Sequence, residues 1–218
     1  MLVKDFMTPV VVTVKEDQSM LEARELLRSK DLRSLPVIDD IKRIRGIITV
    51  DDVGKASPSE GSTLSKYEAN YLLGRLKVRD VMSRTVVTVN ADDSIEYVAY
   101  NLYKTRVNAL PVVDDANKLC GIISQNDVFR AFVEIMSVDK PCTRISFVVK
   151  DQVGVLADVA TLFKENNANI ISLLCKANEN GTTEITIRAV LSNGMDIIEQ
   201  LREAGYEVTD IMSIHGVN

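Results

Sequence analysis

Gly46-Ile47-Ile48-Thr49-Val50-Asp51-Asp52-Val53 returns 75 residues later as Gly121-Ile122-Ile123-Ser124-Gln125-Asn126-Asp127-Val128. In both places an apolar run of strand composition ends in a hydroxyl residue, and a carboxylate follows three positions on. A hydroxyl and an acid at that spacing start a helix, because each can satisfy a backbone N–H that the first turn leaves without a partner. Working outward at the same offset, Val3-Lys4-Asp5-Phe6-Met7 falls on Val78-Arg79-Asp80-Val81-Met82. Val11-Val12-Thr13-Val14 falls on Val86-Val87-Thr88-Val89, and Leu35-Pro36-Val37 with Asp39-Asp40 falls on Leu110-Pro111-Val112 with Asp114-Asp115. Without a gap, 20 of 51 positions are identical between 3–53 and 78–128. The chain therefore contains a duplication. Two copies of one unit bury a shared face; they are too few for a solenoid.

Each copy reads as β-α-β-β-α. The apolar run at 10–14 is a short strand, and Asp17 and Ser19 offer helix caps. Met20, Ala23, Leu26 and Leu27 then recur at helical spacing over 20–30. Two β-rich runs at 35–39 and 45–49 flank a polar turn, and a second helix starts at Asp51-Asp52. Between the copies, 54–65 is rich in Gly, Ser and Pro and reads as a loop. A short helix at 66–73 is expected to gather Tyr67, Tyr71 and Leu72 on an apolar side. An apolar helix over 128–136 precedes a break at 137–141. The pattern then changes: a strand at 145–149, a turn at Asp151-Gln152-Val153-Gly154, and a helix marked by Val155, Val159, Leu162 and Phe163. Strands at 169–176 and 183–191 are joined through Asn180-Gly181, a hairpin signal. A helix over 195–204 stops at Gly205, and a strand follows at 208–214. This second pattern is β-α-β-β-α-β, the ferredoxin-like order. The expected boundaries are 1–60 and 78–138 for the copies, 61–77 for the linker, and 143–218 for the last domain.

Bulk properties bound the function. Of 218 residues, 46% are hydrophobic and 26% charged, enough apolar material for two cores in an α+β protein. The net charge of −5, with Lys and Arg interspersed among Asp and Glu, argues against a nucleic-acid partner. No run of 18 uncharged apolar residues exists to span a membrane, and Lys4 and Asp5 interrupt any signal-peptide stretch; a cytoplasmic location is expected. Cys120, Cys142 and Cys175 are odd in number and widely spaced, so reduced, buried thiols are expected rather than disulfides or a metal site. His215 is the only histidine and has no partner for metal or nucleophilic chemistry. No catalytic residue is picked out, and no phosphate-binding glycine motif appears. Met7, Met20, Met82, Met136, Met195 and Met212 read as core filling.

The doubled unit, with its Asp-x-Met start, Leu-Pro-Val-(Ile/Val)-Asp strand and Gly-Ile-Ile-(Thr/Ser)-x-x-Asp end, resembles the CBS domain, whose tandem pairs form Bateman modules. Residues 143–218 resemble an ACT domain, on Asp151-x-x-Gly154-Val155-Leu156 and Asn169-Ile170. The order CBS, CBS, ACT is similar to the acetoin utilization protein B family. These resemblances imply a regulatory protein, not an enzyme, that forms a homodimer and acts on a partner enzyme or regulator. They imply no cofactor. The regulatory ligand would be an adenine nucleotide (AMP, ADP or ATP) in the CBS pair, with an amino acid at the ACT domain. S-adenosylmethionine or NAD as ligand, and a purely structural dimerisation scaffold, are the alternatives.

For the nucleotide, the resemblance places Asp5, Leu32 and Ser34 beside adenine in the first site and Asp80, Val107 and Ala109 in the second. Arg33 falls where the family aims a basic group at phosphate; its counterpart Asn108 is uncharged, so unequal sites are expected. Thr49 and Ser124, with free N–H groups at a helix start, can hold a phosphate. Asp52 and Asp127 can accept two ribose hydroxyls. The same four residues also fit a capping role, and both readings stand. In the ACT portion the resemblance assigns Asp151 to an amino group, Gly154 to a carboxylate, and Asn169 and Ile170 to the facing strand of another copy. Val153 stands where the family often has proline before the glycine.

Overall fold

Ser19 opens the first helix as the pattern requires. Its hydroxyl accepts from the Glu22 N–H (3.2 Å), while the Glu22 carboxylate accepts from the Ser19 N–H (2.7 Å). In this computed structural model, which describes residues 1–57, 65–191 and 194–215, the helix α1 (Met20–Ser29) buries Met20, Ala23 and Leu27 at helical spacing. Strands β1 (Ser34–Ile38) and β2 (Ile44–Thr49) pair antiparallel, with Leu35 opposite Ile48 and Val37 opposite Gly46. Helix α2 (Val50–Ala56) follows, then α3 (Lys66–Arg75) and α4 (Val78–Val81). The second copy repeats the plan in α5 (Ile95–Thr105), β4 (Ala109–Val113), β5 (Leu119–Ser124) and α6 (Gln125–Met136), after a two-residue strand β3 (Val89–Asn90). Its register is the same, Leu110 opposite Ile123 and Val112 opposite Gly121. Leu35, Ile48, Leu110 and Ile123 are all fully buried, the core role their composition demanded.

The opening strand is shorter than expected. In the first copy it shrinks to one parallel bridge, Val14 to Val37; in the second it is β3 beside Val112 and Val113. The reason lies in where the preceding residues go. Thr8 exchanges two backbone hydrogen bonds with Ile122 of the other copy (2.9 and 3.0 Å), and Ser83 exchanges two with Ile47 (3.0 Å each). The two exchanges are related by the 75-residue repeat. Each N-terminal segment therefore belongs to its own copy in sequence and to the other copy in pairing. Gly46 and Gly121 permit the approach: a Cβ at Gly46 would sit 2.6 Å from Met82 Sδ, and one at Gly121 2.5 Å from Met7 Sδ. Met7 and Met82 thus fill the space over the opposite copy's glycine.

Helix α3 departs from expectation in its packing. Tyr67, Tyr71 and Leu72 are exposed, and Leu73 is the residue that buries; Asn70 accepts a hydrogen bond from Arg24 of α1 (2.7 Å). The loop expected over 54–65 begins later, since α2 runs through Ala56; residues 58–64 lie outside the described residues.

The chain forms two compact units, Met1–Ala131 and Phe132–Asn218, so α6 begins in one and ends in the other. Ser137, in the left-handed region (φ 48°), follows the helix at the expected break. The second unit is a four-stranded antiparallel sheet in the order β7-β8-β6-β9, formed by β6 (Cys142–Lys150), β7 (Asn169–Ala177), β8 (Thr182–Val190) and β9 (Glu207–Ile214). Helices α7 (Val155–Glu165) and α8 (Gly194–Glu203) complete the β-α-β-β-α-β order. Alternate residues Ile145, Phe147 and Val149 of β6 and Ile185, Ile187 and Ala189 of β8 form the core with Val159, Phe163, Ile197 and Leu201. Gly181 (φ 75°) makes the hairpin turn, and Gly205 (φ 81°) follows α8. On β8, Arg188 is 8% exposed, and its Nη1 has no hydrogen-bond partner among the described residues.

Two composition-based expectations need correction. Only Cys142 of the three free cysteines is buried; Cys120 is half-buried and Cys175 exposed, because β7 is an edge strand. Met212 is exposed on the other edge strand, β9, rather than filling the core. The side chain of Met195 lies outside the described residues. No helix among the described residues is long and apolar enough to cross a membrane.

Candidate functional site

A cavity of about 580 Å³ opens where the two repeats meet. The 107–109 segment is held to the start of α6 by two bonds: Gln125 N–H donates to Asn108 O (3.0 Å) and Gln125 Nε2 to Val107 O (3.2 Å). In the same way Val50 N–H at the start of α2 donates to Arg33 O (3.1 Å) and fixes the 32–34 segment. Both segments face the cavity, which is lined by Leu32, Arg33 and Ser34 from the first copy and by Asn108, Ala109, Ser124 and Asp127 from the second. Residues that the resemblance divided between two sites thus converge in one. The physical reason is the crossing of N-terminal segments described above, which also brings Thr8 and Val10 to this wall. Asp31, Gln125 and Asn126 complete the polar lining and were missed by the sequence reading. Nothing in the linear pattern marks a crossing between copies; the paired Met and Gly positions are its only trace.

Five expected residues do not line this cavity: Asp5, Asp80, Val107, Thr49 and Asp52. Asp5 accepts from the Leu2 N–H (3.1 Å) and Asp80 from the Lys77 N–H (3.2 Å), so each closes the short turn it belongs to. Val107 contributes its carbonyl to Gln125.

The hydroxyl–acid pairs are capping boxes in both copies. Asp127 Oδ2 accepts from the Ser124 N–H (2.8 Å) and hydroxyl (2.7 Å), and the Ser124 oxygen accepts from the Asp127 N–H (3.3 Å). Thr49 and Asp52 repeat this at 2.9, 2.7 and 3.2 Å. Capping occupies one carboxylate oxygen and leaves the other. At Asp127, Oδ1 meets Arg130 Nη2 at 3.4 Å, while the same nitrogen donates to Phe6 O at 2.7 Å and the guanidinium lies over the Phe6 ring. A carboxylate oriented by its cap, with its second oxygen weakly held, is an acceptor ready for a pair of hydroxyls. Among the described residues the cavity lining contains no His, Cys or Lys, so these offer neither a thiol nucleophile nor an imidazole base. Among the described residues no cluster of three or more His, Cys, Asp or Glu is placed to hold a metal.

The second unit has its own cavity, of about 370 Å³, between the Asp151–Gly154 turn and the far ends of β7 and β8. Asp151 and Gly154 line it with Leu156, Cys175, Ala177 and Thr183. Asn169 and Ile170 do not: they sit at the opposite end of β7, six residues from Cys175, roughly 20 Å at strand rise. Gly154 (φ 97°) is the N-cap of α7 and no side chain caps that helix, so Asp151 is free of the capping role. Although Cys175 is exposed overall, partial desolvation of its thiol pushes the thiol pKa up.

Comparison with known proteins agrees with this architecture. The CBS-domain family model matches residues 3–59 and 78–134, and the ACT-domain model matches 143–205. The chain belongs to the CBS-domain family, as a tandem pair followed by an ACT domain; domains of both kinds are typically regulatory. Its paired portion is similar to CBSX2 of Arabidopsis thaliana, solved in complex with AMP: 32% identity, 62% of this chain, 97% of that one, TM-score 0.52. It is also similar to the CBS-domain pair of protein MJ0100, solved with 5′-methylthioadenosine and S-adenosyl-L-methionine: 28% identity, 61% of this chain, 95% of that one, TM-score 0.50. An acetoin utilization protein of Vibrio cholerae shares the fold at 24% identity, over 63% of this chain and 94% of that one, TM-score 0.53. The chain spans about a quarter of the length of the curated relatives it matches first, several of them named as enzymes.

Proposed function

We propose that this chain is a non-catalytic sensor whose CBS pair binds an adenosine compound in the Ser124–Asp127 cavity, with the ribose hydroxyls on Asp127. The observation that carries it is the Asp127 carboxylate on the wall of a cavity of about 580 Å³, fixed by its cap through one oxygen. A volume in this range suits a small organic ligand. Two similar CBS pairs hold adenosine compounds, AMP in one and 5′-methylthioadenosine with S-adenosyl-L-methionine in the other, which supports the class. Arg33 is the residue that would meet a single phosphate. Binding shifts the chain between arrangements only by the difference in affinity for them, typically about 1–3 kcal/mol of coupling. The output would be a changed contact with a partner enzyme or regulator, in acetoin or related carbon metabolism, within the cytoplasm.

The second unit fits an accessory role. Its small cavity at Asp151 and Gly154 is the place for an amino acid. Its two edge strands expose Leu173, Leu174, Ile211 and Met212, which suits strand-to-strand pairing in a homodimer.

Thermal unfolding with AMP, ATP, NAD and S-adenosylmethionine tests the sensor reading. A ligand at 100 times its Kd adds about 2.7 kcal/mol, a rise of several degrees. Asp127→Asn keeps an oxygen for the Ser124 cap while placing a donor where the ribose needs an acceptor, so its basal Tm should stay near wild type and the ligand shift should vanish. If no adenosine compound stabilises the wild type, the cavity is vestigial and the chain is a scaffold.

A further inference from the structure

Among the described residues, three ionisable side chains line the Ser124–Asp127 cavity: Asp31, Arg33 and Asp127. Two are acids and one is a cation. The position that the repeat pairs with Arg33 is Asn108, also on the wall and uncharged. Arg130, which contacts Asp127, is already engaged: its Nη2 donates to Phe6 O at 2.7 Å and approaches Asp127 Oδ1 at 3.4 Å.

The helix start does not make up the deficit. The first N–H of α6, Gln125, donates to Asn108 O at 3.0 Å, and the third, Asp127, donates to Ser124 Oγ at 3.3 Å. The Ser124 hydroxyl is spent on Asp127 Oδ2 at 2.7 Å. Two of the first three N–H groups, donors that a helix N-terminus usually turns toward a phosphate, are thus used inside the protein; the one between them, on the wall residue Asn126, is neutral and adds no cation. A ligand with its ribose on Asp127 would extend its 5′ substituent among Arg33, Asn108 and Asp31. One phosphate can pair with Arg33. A second or third meets no further cation among the described residues of the wall and adds repulsion from two carboxylates.

We propose that this cavity selects adenosine derivatives whose 5′ group is neutral, cationic or at most a monophosphate, and rejects nucleoside di- and triphosphates. This rests on the reading that the cavity takes adenosine. A neutral thioether loses nothing by lacking a phosphate partner, and a sulfonium gains from Asp31. Arg33 is the specificity-determining residue for the monophosphate, and Asn108 is the position that withholds a second cation.

Titration calorimetry on the full chain tests this with adenosine, 5′-methylthioadenosine, S-adenosylmethionine, AMP, ADP and ATP, the last two with and without magnesium. In wild type, 5′-methylthioadenosine and AMP should bind more than about tenfold tighter than ATP, a gap of about 1.4 kcal/mol. Arg33→Gln should weaken AMP about tenfold and leave 5′-methylthioadenosine within about twofold, a loss the size of one charge-assisted bond. Asn108→Arg should tighten ATP and leave the thioether unchanged. ATP binding as tightly as 5′-methylthioadenosine in wild type overturns the selectivity while leaving an adenosine site in place. An absence of heat with every compound overturns the site itself and the selectivity with it.

Discussion

Replacing Gly46 by alanine should destabilise the CBS pair more than the same change at Gly121, although the two glycines occupy equivalent positions. Neither has a positive φ, so the cost is contact and not backbone strain. At Gly46 the new Cβ would lie 2.6 Å from Met82 Sδ and 2.8 Å from Ser83 O. The sulfur is the far part of a flexible side chain; the carbonyl is backbone, and it accepts the Ile47 N–H at 3.0 Å. Relieving a 2.8 Å contact moves that oxygen by half an ångström or more, which stretches the hydrogen bond toward its limit. Overpacking costs about 1–3 kcal/mol, each weakened backbone bond about 1 kcal/mol, and the loss of unfolded-chain entropy returns about 0.4–1 kcal/mol. The sum is about 1–3.5 kcal/mol, centred near 2 kcal/mol. At Gly121 the close atoms are Met7 Sδ (2.5 Å) and Cγ (3.2 Å), while Thr8 O stands off at 3.3 Å. Met7 can turn aside, and about 1 kcal/mol should suffice. Urea unfolding followed by tyrosine fluorescence reads the right unit, because five of the six tyrosines lie in the first 131 residues. Met7→Ala should rescue Gly121→Ala, whereas Met82→Ala should leave much of the Gly46→Ala deficit, since Ser83 O remains. Equal costs at the two glycines, or full rescue by Met82→Ala, would refute the crossed pairing of the N-terminal segments.

Arg188→Met should raise the melting temperature of the second unit, because a buried guanidinium whose Nη1 has no partner among the described residues gives way to an apolar chain of similar length; a fall of more than about 2 kcal/mol in stability would show that the guanidinium has a partner holding it. The Ser19 N–H and hydroxyl bonded to its carboxylate hold the Glu22 pKa below the usual range. Its cap therefore contributes stability above the ordinary glutamate pKa and loses it as pH falls through the lowered one. Protection factors at the start of α1, which take out the intrinsic pH dependence of amide exchange, should fall with acid in the wild type and show less pH dependence in Glu22→Gln.

Most of the architecture was legible because each element carries its own local signal. The helix cap at Ser19, the Leu-Pro-Val strands and the Asn180-Gly181 turn all act through neighbours a few residues away, and they formed where the pattern placed them, with Ser19 rather than Asp17 as the cap. The opening strand was misjudged because its pairing is decided far off, by Thr8 and Ile122 across the repeat. The apolar side of α3 was misassigned for a similar reason: Tyr67, Tyr71 and Leu72 suggested a stripe, but the packing against α1 selects Leu73. For the site, residues on one strand–helix junction, such as Ser124 and Asp127, could be read directly. Their union with Leu32, Arg33 and Ser34 could not, because it arises from the way two copies fold across each other. The ACT cavity shows the same limit: Asp151 and Gly154 are near in sequence and found together, while Asn169 sits at the far end of its strand.

A crystal structure of the chain soaked with 5′-methylthioadenosine bears most directly on how this protein works. Both ribose hydroxyls should lie within about 2.6–3.2 Å of the Asp127 carboxylate, with the thioether beside Arg33 and Asn108. Density for the nucleoside elsewhere, with Asp127 touching only Ser124 and Arg130, would contradict it.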